Sequence, residues 1–237
     1  MSELGIEMTA MAALPQALAS SRSLAVFDID GTLYSANTLY ECLEGFHTAR
    51  ATPWRWFFRS ARTRPGQFFW AAIARLARAD LCRRIAFRSL RGIDVCSLDD
   101  ACRAYVHDIL PDRQISQTLA LLNACGDRGY DVRLVSGSMG PLVRHIARVN
   151  GIDKWLAAEP DVSMGHYTGA IADDVQGSKL AAVEQAWRSF DELIVVTDNK
   201  NDLPLVKRAD HAWVITKAGN VDWWCRHQLA HVSLIEV

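Results

Sequence analysis

Apolar positions along the chain change rhythm after the first strand-like run and again near residue 116. Leu24-Ala25-Val26-Phe27 is a continuous apolar stretch of strand length that leads into Asp28-Ile29-Asp30-Gly31-Thr32-Leu33. From Ser35 to Pro111 the spacing is helical. Helices are expected at 38–49, 54–62, 67–79, 81–90 and 98–110, punctuated by Pro53, Pro65-Gly66 and Gly92. From residue 116 onward helices and strands alternate. A helix at 117–125 precedes a strand at 131–135, which ends in Ser136-Gly137-Ser138. A helix at 141–149, a short strand near 156–158 and a hairpin-like stretch at 162–171 around Gly165 follow. The pattern then gives a helix at 178–187, a buried strand at 192–196, a helix at 203–207, a strand at 211–215 and a helix from 220 to about 227. Alternation at this spacing implies an α/β fold with a parallel sheet covered on both faces. Residues 1–21 read as a loose or partly helical lead-in, 22–34 and 112–237 as the α/β core, and 35–111 as a helical insertion.

Composition narrows the class. The chain has 237 residues, 50% of them hydrophobic and 22% charged, which suits a globular protein with a full core. A net charge of −1 supplies no global field for nucleic acid. The six cysteines form no CxxC pair, and the start lacks the basic region and apolar run of a secretory leader. The expectation is reduced thiols in a cytoplasmic protein, with no stretch long enough to span a bilayer. His47, His107, His145 and His166 show no ligand spacing.

The insertion has its own chemistry. Between Arg50 and Arg91 every cation is an arginine and Asp80 is the only acid, with Trp54, Trp56, Phe57, Phe58, Phe68, Phe69 and Trp70 interleaved. One reading is an amphipathic bundle, aromatics inside and arginines in water. The other is a surface for an anionic substrate or an anionic membrane.

Asp28 and Asp30 leave a buried strand one residue apart. Desolvated carboxylates need a cation or hydrogen-bond donors. They are either two solvated turn aspartates or a nucleophile and an acid/base around a hard cation. Two further strands end in complementary groups. Ser136-Gly137 offers a hydroxyl and backbone N–H groups to an anion, although serine also caps helices. Asp198 and Asp202 are either a cap and a first-turn acid or, beside Asp28, part of an oxygen-rich site of the kind Mg²⁺ prefers. Lys179, at the start of a helix, would at the sheet's mouth neutralise carboxylates and hold a phosphoryl oxygen.

Together these residues resemble the haloacid dehalogenase-like hydrolases, in particular phosphatases of the phosphoserine phosphatase-like, helical-cap branch. Asp28-Ile-Asp30-Gly-Thr-Leu33 matches the first motif of that family, Ser136 the second, Lys179 the third and Asp198-Asn-Lys-Asn-Asp202 the fourth. Thr197 stands where glycine is usual. The words Ser136-Gly-Ser138, Asp202-Leu-Pro-Leu205 and Trp213-Val-Ile-Thr-Lys-Ala-Gly219 are also similar to lipid phosphatases of the phosphatidylglycerophosphatase C type. The resemblance implies a three-layer Rossmann-like core with an all-α cap. It implies Asp28 as nucleophile forming an aspartyl-phosphate and Asp30 as general acid/base. Ser136, Gly137 and Lys179 would hold the phosphoryl group. Mg²⁺ would be held by Asp28, the Asp30 carbonyl and Asp198, with Asp202 in support. The substrate expected is a small phosphorylated metabolite. The alternatives are a lipid phosphate reached by docking the Arg/aromatic surface on a membrane, or phosphate binding without catalysis.

Overall fold

The computed structural model describes residues 22–63, 66, 81–175 and 178–236. The expected lead-in, the helix at 67–79 and the aromatics Phe68, Phe69 and Trp70 lie outside the described residues. The strands are β1 Ser23–Phe27, β2 Asp131–Met139, β3 Trp155–Ser163, β4 His166–Asp173, β5 Glu192–Thr197, β6 His211–Thr216 and β7 Val232–Glu236. They form one sheet in the order β4-β3-β2-β1-β5-β6-β7. Every neighbouring pair is parallel except the β3–β4 hairpin. β1 lies at the centre between β2 and β5, where the direction of chain progression reverses. In open α/β sheets that reversal leaves a crevice beyond the carboxyl ends of the strands.

The helices are α1 Thr38–Ala49, α2 Trp54–Arg62, α3 Leu81–Arg88, α4 Val95–Asp108, α5 Ser116–Asp127, α6 Gly140–Val149, α7 Lys179–Ala186, α8 Leu203–Arg208 and α9 Val221–Cys225. Every residue of β1 is buried, because strand side chains alternate and both faces of this sheet are covered. Ala25 and Phe27 join a cluster with Leu121 of α5 and with Leu142 and Ile146 of α6. Leu24 and Val26 face the other way, against Val183 of α7, Val206 of α8 and Trp224 of α9. This explains the unbroken apolar run of β1. Of the elements described between β1 and β2, α1, α3 and α4 contribute Leu43, Phe46, Phe87, Leu98 and Cys102 to the first cluster. They share its core rather than building a separate one.

Local rules set most element ends. Asn37 caps α1 by accepting from Tyr40 N at 3.3 Å, and Asp94 caps α4 by accepting from Ser97 N at 3.0 Å. The second cap starts α4 three residues before the expected 98. β2 does not end at residue 135. It continues through Ser136-Gly137-Ser138 to Met139, which pairs with Ala158 after a register shift. Turn-type residues are here overridden by pairing and by burial of Met139. β3 is likewise longer than the short strand expected near 156–158. β7 was not expected: only Ile235 of its five residues is buried, so the apolar signal is faint.

Candidate active site

The carboxyl ends of β1, β2 and β5 meet at one cleft. A lobe of about 520 Å³ is bordered by Asp28, Asp30, Ser136, Gly137, Lys179 and Asp198, six of the seven residues singled out from sequence. Asp202 is the exception. It lies behind Lys179, whose Nζ stands 2.9 Å from Asp28 Oδ2 and 2.8 Å from Asp202 Oδ2. Thr197, at the end of β5, also donates to Asp202 Oδ2, at 2.7 Å, and its hydroxyl accepts from Asn199 N at 3.1 Å. The threonine in place of the usual glycine therefore fixes the carboxylate that fixes the lysine.

The loop after β1 is folded by its own polar atoms. Asp28 N donates to Val196 O, continuing the β1–β5 ladder one residue beyond the strand. Gly31 adopts φ +71° and donates its N–H to Tyr34 O. A Cβ at Gly31 would collide with the carboxylate of Asp198, so glycine serves both the turn and the close approach of β5's acid. Thr32 Oγ1 accepts from Asp198 N at 2.9 Å, tying the two loops together. Asp30 Oδ1 accepts from Thr38 N at the start of α1, at 2.8 Å. Thr38 Oγ1 in turn lies 3.3 Å from Ser138 Oγ. Ser136 Oγ is buried and accepts from Ser138 N at 3.1 Å.

Burial and crowding set the protonation of these groups. Burial raises Asp28, Lys179 pulls it back and Asp202 raises it again; the net direction is up. Asp30 is pushed up to about 6, chiefly by burial, against hydrogen bonds from Thr38. Asp198 is pushed up to about 7 by burial and by the Asp28 and Asp30 carboxylates. Burial works against the charge of Lys179, but Asp28 and Asp202 outweigh it and its pKa is raised.

The donors present fit a hard cation. Three carboxylates, Asp28, Asp30 and Asp198, border one lobe, and Lys179 pairs with only the first of them. Burial first, and after it repulsion from Asp28 and Asp30, raises Asp198, and Lys179 offsets this only in part. Among the described residues no three Asp, Glu, His or Cys side chains gather into a metal-holding group. The donor set expected from sequence differs from such a cluster, because it uses the Asp28 and Asp198 carboxylates and the main-chain carbonyl of Asp30, with Asp202 only in support; Asp202 lies behind Lys179 and does not border the lobe. Oxygen donors completed by water suit Mg²⁺.

Sequence reasoning missed Thr32, Thr38, Thr197 and Arg83 as parts of this site. Arg83 of α3 is mostly buried, reaches Gly137 O at 3.5 Å and pairs with Asp174. Nothing local distinguishes it from the other arginines of the insertion. Thr32, within the Asp-x-Asp-x-Thr run, was the one readable from spacing.

A model of the haloacid dehalogenase-like hydrolase family matches residues 25–207. The chain belongs to this family. A protein of Mycobacterium tuberculosis strain H37Rv named as a probable phosphatase is 26% identical over 201 residues, covering 82% of this chain and 69% of its own. A protein with unknown function from Bordetella pertussis Tohama I has a similar structure, with a TM-score of 0.75 at 20% identity over 92% of this chain and 99% of that one. A phosphoserine phosphatase solved as a phospho-aspartyl intermediate analogue aligns with a TM-score of 0.59 at 18% identity, over 92% of this chain and 95% of its own. At such identities the structural likeness establishes the fold. It is the helix-and-sheet arrangement of this hydrolase family. Among the described residues no helix is long and apolar enough to cross a membrane.

Proposed function

We propose that the chain is a Mg²⁺-dependent phosphomonoester hydrolase that works through an aspartyl-phosphate on Asp28 and acts on a small phosphorylated metabolite. The observation that carries this reading is the pairing of two unlike carboxyl groups in one buried lobe. Asp28 faces the ammonium of Lys179 at 2.9 Å, whereas Asp30 is bonded to Thr38 N and pushed up to about 6 by burial, which brings its proton exchange toward the neutral range. Mg²⁺ would be held by Asp28, the Asp30 carbonyl and Asp198, and when bound it supplies neutralisation of the phosphoryl charge.

The residues then divide the work. An Asp28 carboxylate oxygen attacks phosphorus and the bond from phosphorus to the alcohol oxygen breaks. Asp30 gives its proton to the departing oxygen, and the alcohol leaves. Asp30, now a carboxylate, takes a proton from water as that water attacks the same phosphorus. The phosphorus–Asp28 bond breaks, and inorganic phosphate and free Asp28 result. Ser136, the Gly137 backbone and Lys179 hold the phosphoryl oxygens. Asp202 and Thr197 act through Lys179, keeping its ammonium aimed at Asp28.

Phosphate release measured with Mg²⁺ and with EDTA, for the natural chain and for Asp28→Asn, tests this. Turnover that needs Mg²⁺ and vanishes in the variant is the expected result. Turnover that survives Asp28→Asn removes the nucleophile from the scheme. A lipid phosphate is the second reading, favoured by the exposure of Trp54 (37%) and Trp56 (61%) on an arginine-bearing α2. Flotation with anionic vesicles at low salt tests it, and absence of binding removes it.

A further inference from the structure

The cleft does not end at the catalytic lobe. A second lobe of about 720 Å³ opens beyond Asp30, bordered by Ser35, Asn37, Tyr40, Thr216, Lys217 and Asn220. Asp30, Asn37, Tyr40, Asp198 and Asn220 border both lobes, so the two communicate past the proposed acid. An alcohol leaving from the side of Asp30 departs into this second space.

Asp30, Asp198 and Glu41 border this second lobe together with Lys217, and Lys200 borders the catalytic lobe beside Asn220, which is shared by both. Lys179 and Arg83, deeper in the cleft, each have carboxylate partners. Lys200 and Lys217 have none among the described residues. Lys200 is nevertheless held in place. Its Nζ donates to Asn220 Oδ1 at 2.8 Å and stands 5.2 Å from the centroid of Trp223. Trp223 itself packs edge-to-face on Trp224 and on His227. Asn220 N donates to Lys217 O at 2.8 Å, which brings the second lysine's backbone to the same point. Glu41, which also borders the second lobe, accepts from Tyr105 Oη. A preorganised ammonium with protons to spare, beside a second lysine and an amide, is suited to an anion.

We infer that the alcohol part of the substrate carries a second anionic group, a carboxylate or a phosphate, received by the lip of Lys200, Asn220 and Lys217. This rests on the phosphomonoesterase reading and narrows it to substrates with two anionic ends. The same chemistry is met in a soluble metabolite and in a phospholipid bearing both a phosphomonoester and a phosphodiester. A leaving group that ends in an ammonium is selected against.

Four probes test the lip: 3-phosphoglycerate, glycerol 3-phosphate, phosphoethanolamine and dioctanoyl phosphatidylinositol 4-phosphate. The first two share a carbon skeleton and differ in the second anion. The expected kcat/KM is about tenfold higher for 3-phosphoglycerate than for glycerol 3-phosphate, the discrimination worth one charge-assisted contact at a partly exposed site. Phosphoethanolamine falls below both. In Lys200→Met/Lys217→Met the tenfold difference collapses, mainly through KM. If the lipid probe exceeds 3-phosphoglycerate and also loses its advantage in the double variant, the second anion is a lipid phosphodiester; the reverse order identifies a soluble substrate. Equal rates for the first two probes, or a preference unchanged in the double variant, overturn the lip. Calorimetric binding of 3-phosphoglycerate and glycerol 3-phosphate to the Asp28→Asn chain separates the two levels of inference. No hydrolysis of any probe, with the anion preference present in binding and lost in the double variant, refutes the phosphatase reading and leaves the lip standing. Hydrolysis without a charge preference does the opposite.

Discussion

Replacing Lys179 by methionine isolates the electrostatic centre of the site. The ammonium is almost fully buried and stands 2.9 Å from Asp28 and 2.8 Å from Asp202, themselves nearly inaccessible. At an effective dielectric of about 20, each contact is worth about 6 kcal/mol before desolvation is subtracted. Breaking a buried pair on one side costs about 3–5 kcal/mol net, because the partner stays buried without its counter-charge. Protonation of the abandoned carboxyls caps that loss. Taking a carboxyl from its ordinary value of 3.8 to the neutral form costs about 5 kcal/mol at pH 7.5 and about 2 kcal/mol at pH 5.5. In the variant Asp28 keeps the burial that raises it and loses the lysine that lowers it, so its folded-state pKa lies above the unfolded value, the folded state binds more protons and its deficit grows as pH rises from about 4. Thermal unfolding in EDTA should show a Tm about 8–15 °C below the natural chain at pH 7.5 and a smaller gap at pH 5.5. Adding Asp202→Asn removes one of the two stranded charges, and the double variant should regain about 2 kcal/mol. A Lys179→Met chain within about 1 kcal/mol of the natural one at pH 7.5, or a double variant no better than the single, would refute the reasoning.

Three further outcomes are expected. Gly31→Ala forces a β-carbon onto Asp198 at φ +71°, so both the Mg²⁺-dependent rise in Tm and the phosphate release should fall, the latter by at least about tenfold; an unchanged Mg²⁺ shift counts against the Gly31–Asp198 contact. His47, bonded to Ser89 and Thr52 and stacked on Phe58, is held down to about 4 by burial and by Arg50. It stays neutral in the folded chain and charges in the unfolded one, so up to about 3 kcal/mol of stability is lost as pH falls from about 6.5 through about 4; urea midpoints for the natural chain and His47→Gln should converge there, and parallel curves would contradict it. Asp30→Ala should slow alkyl phosphates by about 10²–10⁴ and activated aryl phosphates much less, since only the former need a proton on the leaving oxygen. Equal losses would remove Asp30 as the acid.

What could be read from sequence follows from where the signal is local. β1 was legible because two covered faces leave no polar position between Leu24 and Phe27. The starts of α1 and α2 were legible from period and punctuation, and the site aspartates from their places after apolar runs. β2 was cut short because Ser136-Gly137-Ser138 has turn chemistry, and only pairing with β3 extends it. Arg83 could not have been singled out among the arginines around it. Its burial depends on the fold bringing α3 against Gly137 and Asp174, residues 54 and 91 positions away.

The replacement of glycine by Thr197 shows how such distant effects reach the chemistry. In isolation a β-branched residue at a strand end signals only continued extension. Here its hydroxyl takes two roles, donor to Asp202 and acceptor from Asn199, and both are internal to the loop that carries Asp198. Asp202 in turn takes Lys179, and Lys179 takes Asp28. The chain of contacts therefore runs from a residue with no chemistry of its own to the proposed nucleophile, through atoms that are almost all buried. Because each link is a single hydrogen bond in a water-poor setting, a change at the first link is felt at the last. Thr197 thus belongs to the positioning of Asp28 as much as Asp202 does.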